Sequence, residues 1–273
     1  MLGAGGMLGK DLAPILSVKN QVWARDIDDF DITDQRRVQK EIEVLEPEVV
    51  VNTAAFTDVD GCESKREIAF AVNAVGGRNV ALACAATGRR MIHLSTDYVF
   101  DGSSRTPYRE EDPPNPLNIY GSSKLQGECY IQEILENYLI VRTEWLYGRH
   151  GKNFVDTILR NAERQKELRV VDDQRGSPTF TKDLSFALER LIGIEARGTL
   201  HVTNSGSCTW FEFARHILQE KGYNHVQVIP ILSTELARPA KRPVYSVMDC
   251  QRYEKLTGRK MRPWEEAIKE YLS

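Results

Sequence analysis

Three side chains of the 273-residue chain have the types and spacing of a proton-transfer site. Tyr120 and Lys124 stand four positions apart in a stretch that predicts a helix, so they share one helix face. An ammonium group beside a phenol favours the phenolate, which predicts a lowered pKa for Tyr120 and a proton donor or acceptor near neutral pH. Thr96 ends an apolar run 24 residues earlier. Its hydroxyl could polarise the same carbonyl group that Tyr120 protonates.

The first nine residues predict a site for phosphate groups. Gly3, Gly6 and Gly9 precede a helical pattern, and glycines let the backbone approach a pyrophosphate that sits on a helix N-terminus. A nucleotide-binding turn normally follows a full strand, but only Met1 and Leu2 precede this one. Two interpretations stay open: the first strand is very short, or residues upstream are missing from this sequence.

The segment 21–26 predicts a second strand, which ends in two opposite charges. Asp26 follows the glycines by about 20 residues, where an acidic side chain binds the ribose 2′-hydroxyl of NAD. Arg25 could instead face the 2′-phosphate of NADP. The two residues favour different cofactors, so both NADH and NADPH remain open.

Short apolar runs alternate with helical stretches through the first two-thirds of the chain. The predicted strands are 49–51, 90–94 and 138–141, and the predicted helices between and after them are 65–86 and 120–135. This alternation predicts an α/β fold of the Rossmann type, a doubly wound parallel sheet that binds ligands at the carboxyl ends of its strands. After about Gly148 the alternation weakens. We therefore expect a dinucleotide-binding domain over 1–148 and a smaller substrate-binding lobe over 149–273, partly interleaved with it.

Composition narrows the class of partner. There are 36 basic and 39 acidic residues, giving a net charge of −3, and this balance argues against nucleic acid or an anionic membrane surface as a partner. No apolar stretch approaches the roughly 18 residues of a membrane-spanning helix. The five cysteines and five histidines are scattered. They predict free thiols in a reducing cytoplasm and no metal cluster.

Six blocks, in this order along the chain, carry a resemblance to the extended short-chain dehydrogenase/reductase family and, within it, to the dTDP-4-dehydrorhamnose reductases. The blocks are 52–60, 93–102, 120–128, 142–148, 173–179 and 242–246. With the glycine turn they span Gly3 to about Trp264, nearly the whole chain. The resemblance implies reduction of the C4 keto group of dTDP-6-deoxy-L-lyxo-4-hexulose to dTDP-L-rhamnose, with NADPH or NADH as hydride donor.

The resemblance also implies a role for each matching residue. On the cofactor side, Gly6, Met7 and Leu8 would contact the phosphates, Asp31 and Ile32 the adenine, and Ala54, Ala55 and Thr57 the nicotinamide-ribose side. Tyr120 would be the proton donor, and Lys124 would bind the ribose and tune Tyr120. Thr96 would polarise the keto group. Asp97 and Trp145 would contact the sugar nucleotide, and a flat indole suits the apolar face of a sugar.

Three arginines are candidates for clamping the substrate pyrophosphate, because a guanidinium binds phosphate at two points. They are Arg142, Arg175 and Arg242, of which Arg242 is the first choice for its place in a proline-rich loop. Trp210, Phe211 and Phe213, at helical spacing, are expected in the core. The family also allows a magnesium ion at the contact of a homodimer, with Asp11 and Asp183 as partial matches.

One departure from related enzymes bears on the reaction. Sugar-nucleotide dehydratases carry Thr-Asp-Glu at the strand end, where the glutamate removes a proton, whereas Tyr98 follows Asp97 here. Simple carbonyl reduction is therefore favoured over dehydration. Two alternatives stay open. One is a non-catalytic regulatory subunit resembling that of methionine adenosyltransferase. The other is a reductase or epimerase of another nucleotide-linked keto sugar.

Overall fold

A computed structural model describes residues 1–273. The helices are α1 (Met7–Ser17), α2 (Gln35–Leu45), α3 (Val59–Ser64), α4 (Arg66–Phe70), α5 (Gly77–Thr87), α6 (Ile119–Ile134), α7 (Phe154–Ala162), α8 (Thr181–Gly193), α9 (Trp210–Glu220), α10 (Gln251–Thr257) and α11 (Trp264–Leu272). The strands are β1 (Val49–Asn52), β2 (Arg90–Thr96), β3 (Tyr138–Thr143), β4 (Leu146–Tyr147), β5 (Glu167–Val171), β6 (Arg175–Gly176), β7 (Thr179–Phe180), β8 (Gly198–His201), β9 (Cys208–Thr209) and β10 (Gln227–Ile231).

The central sheet is parallel and has the order β1-β2-β3-β8. Leu2 extends it beyond β1, pairing with Asn52 on one side and with Arg25 on the other. The backbone N–H of Leu2 donates to Val51 over 2.8 Å, and its carbonyl accepts from Thr53 over 2.9 Å. Leu2 thus occupies the position of a strand between these two segments, and the predicted α/β parallel fold is confirmed.

Helices cover both faces of this sheet. Successive residues of a strand point to opposite sides, so each strand contributes side chains to a core on either face. Val51 of β1 and Ile92 of β2 face one core, which holds the buried leucines of α1 and α8. Their neighbours Val50 and Met91 face a second core against α2, α5 and α6. The carboxyl ends of the strands are left open between these two helical layers.

The segment 66–87 runs as one helix with a wider turn in its middle. A π-helical turn at Ala71–Gly76 joins α4 to α5. By length and composition alone the segment could cross a membrane, but more than half of its most apolar window is buried within the protein. Such burial is typical of a helix in the core of a protein. Asn73, in the π turn, is buried as well.

The second half of the chain contributes to two cores. A third core of 17 buried residues collects side chains of α7, α9, α11 and β5, and forms the smaller lobe. However, α8, β8 and Tyr253 of α10 pack into the first core, against α1 and the sheet. The bounds 1–148 and 149–273 stay a prediction.

Candidate active site

A cleft of about 680 Å³ lies at the carboxyl ends of the strands. The lining of this cleft contains nearly all of the predicted site residues: Gly3, Gly6, Met7, Leu8, Asp26, Asp31, Ile32, Ala54, Ala55, Thr57, Thr96, Asp97, Tyr120, Lys124 and Trp145. Arg242 is the exception. The sequence-predicted cofactor and acid–base residues thus converge on one place in the fold.

The glycine turn forms the wall of the cleft below α1. Gly3 has a φ of +77°, and a Cβ there would lie 2.5 Å from the backbone nitrogen of Ala54, so only glycine fits. The helix begins at Met7, and neither a side-chain cap nor an acidic residue occupies its first turn. Its backbone N–H groups are left for an anion. These features fit the pyrophosphate of a dinucleotide cofactor.

Arg25 and Asp26 both line the cleft, as the sequence predicts. The Nε atom of Arg25 lies 2.6 Å from a carboxylate oxygen of Glu41, so its charge is already paired. The Asp26 carboxylate accepts from the backbone of Ile27 at 2.9 Å and packs against Gly5. Asp26 is the better placed of the two to meet a ribose hydroxyl at the turn.

The acid–base pair lies at the start of α6. Asn118 caps this helix, accepting from the backbone N–H of Gly121 at 2.8 Å, and Tyr120 and Lys124 follow on the buried face. The pKa of the Tyr120 phenol is raised, first by burial and then by the negative charge of Asp97. The prediction that this pKa is lowered by Lys124 is wrong, because desolvation of the phenolate is the largest effect and Lys124 is not among the causes of the shift. Tyr120 is a neutral phenol that holds its proton.

Lys124 is buried beneath the cleft floor, with 2% of its surface exposed. Its ammonium donates to the carbonyl of Leu94 at 2.6 Å and lies 3.3 Å from Nε2 of His93. Burial lowers the pKa of Lys124 to about 8 and holds the pKa of His93 well below its usual value.

Sequence reasoning missed two asparagines that hold the loop opposite Tyr120. Asn52 accepts from the backbone of Ala54 at 3.1 Å and lies 3.2 Å from Nδ1 of His93. Asn73, in the π turn, accepts from the backbone N–H of Phe56 at 2.8 Å and donates to Ser123 of α6 at 2.9 Å. A polar residue within an apolar helical stretch was the one available signal for Asn73.

Thr96 lies between the acid and the predicted sugar-binding residue. Its hydroxyl donates to Asp97 at 3.0 Å and accepts from the backbone of Tyr98 at 3.2 Å. The same hydroxyl acts to lower the pKa of Tyr120, against the larger effect of burial. Burial raises the pKa of Asp97 to about 6. Thr96 therefore lies beside both the proton donor and the Asp97 carboxyl group.

The far wall of the cleft is aromatic. Trp145 has a φ of +49° and stacks on Trp210, with ring centroids 3.5 Å apart and planes 7° apart. Phe213 is buried in the core, as expected. Trp210 is only half-buried and lines the cleft. It packs on Phe154 of the smaller lobe as well, so the prediction that it lies in the core holds only in part.

The three candidate arginines are already paired. Arg142 is buried and binds Glu128, with contacts of 2.7–3.2 Å, and it lies behind the site rather than in it. Arg175 pairs with Glu212 at 3.0 Å. Arg242 binds the carboxylate of Asp60 at two points, 2.8 and 3.0 Å, and is also a hydrogen-bond partner of the cleft residue Tyr98. A substrate contact by Arg242 stays a prediction.

The structure gathers no group of three or more side chains that could hold a metal ion. The Asp183 carboxylate is bound by Arg262 and Asn204. Asp11 accepts from the hydroxyl of Thr181. Magnesium is not supported by these residues.

Comparison with known proteins bears out the resemblance. The family model described as "RmlD substrate binding domain" matches residues 1–273. The chain is 43% identical to the spore coat polysaccharide biosynthesis protein SpsK of Bacillus subtilis (strain 168), over 99% of this chain and 95% of that protein.

Two solved structures share the fold over almost their whole length. The dTDP-4-dehydrorhamnose reductase of Clostridium acetobutylicum is 41% identical, with a TM-score of 0.96, and that of Bacillus anthracis, solved in complex with NADP, is 39% identical, with a TM-score of 0.93. Each match covers 99% of this chain and 96% of the other. The chain belongs to the RmlD substrate-binding domain family.

Proposed function

We propose that the chain reduces the C4 keto group of dTDP-6-deoxy-L-lyxo-4-hexulose to give dTDP-L-rhamnose, using NADPH or NADH. One observation carries the proposal: the neutral phenol of Tyr120, the Thr96 hydroxyl and Lys124 line the same cleft as the glycine turn. The names of the two solved relatives support the reaction, and the NADP in one of them supports the cofactor class.

The cofactor side of the cleft is built from backbone. The first-turn N–H groups after Gly6 would hold the phosphates, and the loop at Ala54, Ala55 and Thr57 would hold the nicotinamide-ribose side. The charged Lys124 would donate to the ribose hydroxyls. When bound, the nicotinamide supplies the hydride. Asp31 and Ile32, on the same side of the cleft, would contact the adenine.

The substrate side supplies the proton. A carbonyl that gains a hydride becomes an alkoxide, and Tyr120 would donate its proton to that oxygen. Since the raised pKa keeps the phenol protonated, the free enzyme is in the state required for reduction. The Thr96 hydroxyl would turn from Asp97 to the same oxygen and stabilise its negative charge. Asp97 and Trp145 would contact the sugar, and Arg242 would contact the pyrophosphate.

The same residues argue against one of the two alternatives, the non-catalytic regulatory subunit. A regulatory subunit needs no acid at the end of the cofactor cleft, yet Tyr120, Thr96 and Lys124 are all in place. A keto-sugar reductase or epimerase of different specificity would share this chemistry. A cytoplasmic location, a homodimer, and the lack of membrane or nucleic-acid partners stay predictions; the five unpaired cysteines support the first of them.

The test follows the nicotinamide absorbance with the dTDP-4-keto-6-deoxy sugar generated in place together with its 3,5-epimerase. NADPH and NADH are supplied in separate reactions. We expect oxidation only when the epimerase is present, and dTDP-L-rhamnose as the product. Oxidation without the epimerase would transfer the assignment to another keto sugar. Lack of oxidation with either cofactor, by protein that binds NADPH, would favour the regulatory subunit.

A further inference from the structure

Four buried polar atoms beside Tyr120 have no hydrogen-bond partner within the protein. They are Ser95 Oγ, Asp97 Oδ2, Thr143 Oγ1 and Glu144 Oε1. All four residues line the cleft, and none exposes more than 5% of its surface. Polar atoms buried without partners are costly and rare. Their concentration on one wall indicates that a ligand with several hydroxyl groups completes the hydrogen bonding there.

Glu144 has no part in the reaction as proposed above, yet it lies at the centre of this wall. Ser246 donates to its Oε2 at 2.9 Å. The negative charge of Asp97 is among the causes of the raised pKa of Glu144, so the two carboxyl groups are close neighbours. Each carboxyl keeps one oxygen without a partner, Oε1 in Glu144 and Oδ2 in Asp97.

The backbone is shaped to bring Glu144 into the cleft. Successive side chains of an extended chain point to opposite sides, yet Glu144 and Trp145 both line the cleft, because the φ of +49° at Trp145 breaks the alternation. Gly176 lies against both side chains: a Cβ there would be 2.5 Å from Glu144 Oε2 and 2.6 Å from Trp145 Cε2. A larger residue at this position would displace them.

Two carboxyl groups that share a site cannot both ionise easily. Burial and the neighbouring Asp97 charge raise the pKa of Glu144 well above its ordinary value, whereas that of Asp97 is raised only to about 6. Of the two carboxyl groups, Glu144 therefore holds a proton in preference to Asp97. Since Oε2 of Glu144 accepts from Ser246, Oε1 is the oxygen left to carry the proton and donate it to a ligand. The wall then presents one donor next to one acceptor.

We propose that Glu144 determines specificity by donating a hydrogen bond to a ring hydroxyl of the bound sugar, while Asp97 accepts one from the neighbouring hydroxyl. The pair selects nucleotide-linked keto sugars that carry adjacent free hydroxyls over deoxy sugars that lack them. Glu144 takes no part in proton transfer to the alkoxide. The identity of the sugar in this inference rests on the proposed function. The hydrogen bonding by Glu144 and Asp97 does not depend on it.

The test is calorimetric titration of the NADP⁺-bound protein with dTDP-L-rhamnose and, separately, with dTDP. Glu144→Ala should weaken the binding of dTDP-L-rhamnose about tenfold or more and leave the dissociation constant of dTDP unchanged. Glu144→Gln keeps an N–H donor and should stay within about threefold of the unsubstituted protein. Glu163→Ala, which removes an exposed carboxylate outside the cleft, is the control and should leave both dissociation constants unchanged.

Steady-state kinetics provide a second test of the same variants. For the hydroxylated keto sugar, Glu144→Ala should raise KM more than it lowers kcat, and for an analogue lacking the hydroxyl beside the carbonyl it should change neither. The inference would be overturned if Glu144→Ala weakened the binding of dTDP and of dTDP-L-rhamnose equally, or if it weakened neither. If the unsubstituted protein reduces no sugar but shows the Glu144-dependent preference for dTDP-L-rhamnose, only the proposed function fails.

Discussion

The Nζ atom of Lys124 lies 3.3 Å from Nε2 of His93, within a chain of buried polar groups. On the other side of the ring, Nδ1 lies 3.2 Å from the amide nitrogen of Asn52, whose oxygen accepts from the backbone of Ala54. The imidazole thus connects the lysine that would hold the ribose to the loop that would hold the nicotinamide. Because His93 is buried beside the Lys124 ammonium, its pKa is lowered and the imidazole is neutral.

The first prediction concerns this connection. His93→Phe should raise the NADPH dissociation constant several-fold and destabilise the protein by about 1–3 kcal/mol, since the buried hydrogen bond that the imidazole accepts is lost and the packing between Lys124 and Asn52 changes. Fluorescence titration with NADPH and urea unfolding measure the two effects. His225 is exposed, and His225→Phe should change neither. Unchanged cofactor affinity in His93→Phe would limit the histidine to a structural role.

The second prediction concerns the acid. Tyr120→Phe removes the donated proton and should lower kcat by about 10²–10⁴-fold, while the NADPH dissociation constant stays within about twofold. Stopped-flow or steady-state measurement of nicotinamide absorbance gives kcat. Tyr98, whose ring centroid lies 5.6 Å from that of Tyr120, offers a control, and Tyr98→Phe should keep most of the turnover. Full activity in Tyr120→Phe would contradict the assigned mechanism.

The third prediction is a pH dependence of cofactor binding. Lys124 loses its proton as the pH rises through about 8 in the free protein, and a charged donor binds a hydroxyl oxygen more strongly than a neutral one. The NADPH dissociation constant should therefore be flat below pH 7 and rise above about pH 8. Lys124→Met should bind more weakly and show no such rise. A constant affinity from pH 6 to 10 would contradict this role.

The fourth prediction links the substrate wall to stability. The pKa of Glu144 is raised in the folded state, so folding at neutral pH must take up a proton that the unfolded chain has already lost. The free energy of unfolding falls by about 1.4 kcal/mol for each pH unit above the pKa of Glu144 in the unfolded chain, until the pH reaches the raised pKa of the folded state. Glu144→Gln needs no proton, and we expect it to gain at least about 1 kcal/mol at pH 7.5.

This gain should decrease as the pH falls and vanish near the ordinary glutamate pKa, where the unfolded chain is protonated too. Thermal melts between pH 4.5 and 8 measure it. Glu163 is exposed at the end of α7, and Glu163→Gln serves as the control with no such pH profile. A variant that is less stable than the parent at pH 7.5 would show that Glu144 is ionised in the folded protein.

The fifth prediction concerns the choice of cofactor. Asp26 faces the turn and Arg25 is paired with Glu41, so we expect Asp26 to bind the ribose of NADH and to repel a 2′-phosphate. Asp26→Asn should increase the ratio of kcat/KM for NADPH to that for NADH. Glu41→Gln frees Arg25 and should act in the same direction. An unchanged ratio in both variants would place the ribose elsewhere.

The sequence predicted those parts of the site that depend on local spacing. The glycine turn, the Tyr120–Lys124 helix face and the strand end at Thr96 are all short-range patterns, and the structure brings them to one cleft. The partners of buried side chains were not predictable in this way. Nothing local shows that Arg142 faces Glu128 of α6, or that Ser246 reaches Glu144 across 102 positions.

The wrong sign for the Tyr120 pKa has a related cause. The spacing of Tyr120 and Lys124 shows that an ammonium lies on the same helix face, but it does not show how much solvent the phenol loses. Burial is the largest contribution to the shift, and the Asp97 charge adds to it.

The interleaving of the two lobes limits how relatives can be recombined. A chimaera joined once at residue 148 would take α1 from one parent and α8, which packs on α1 in the first core, from the other. It would also place β8 of one parent against β3 of the other at the sheet edge. Exchange of substrate specificity between relatives therefore requires several crossovers that leave α8, β8 and α10 with their original sheet.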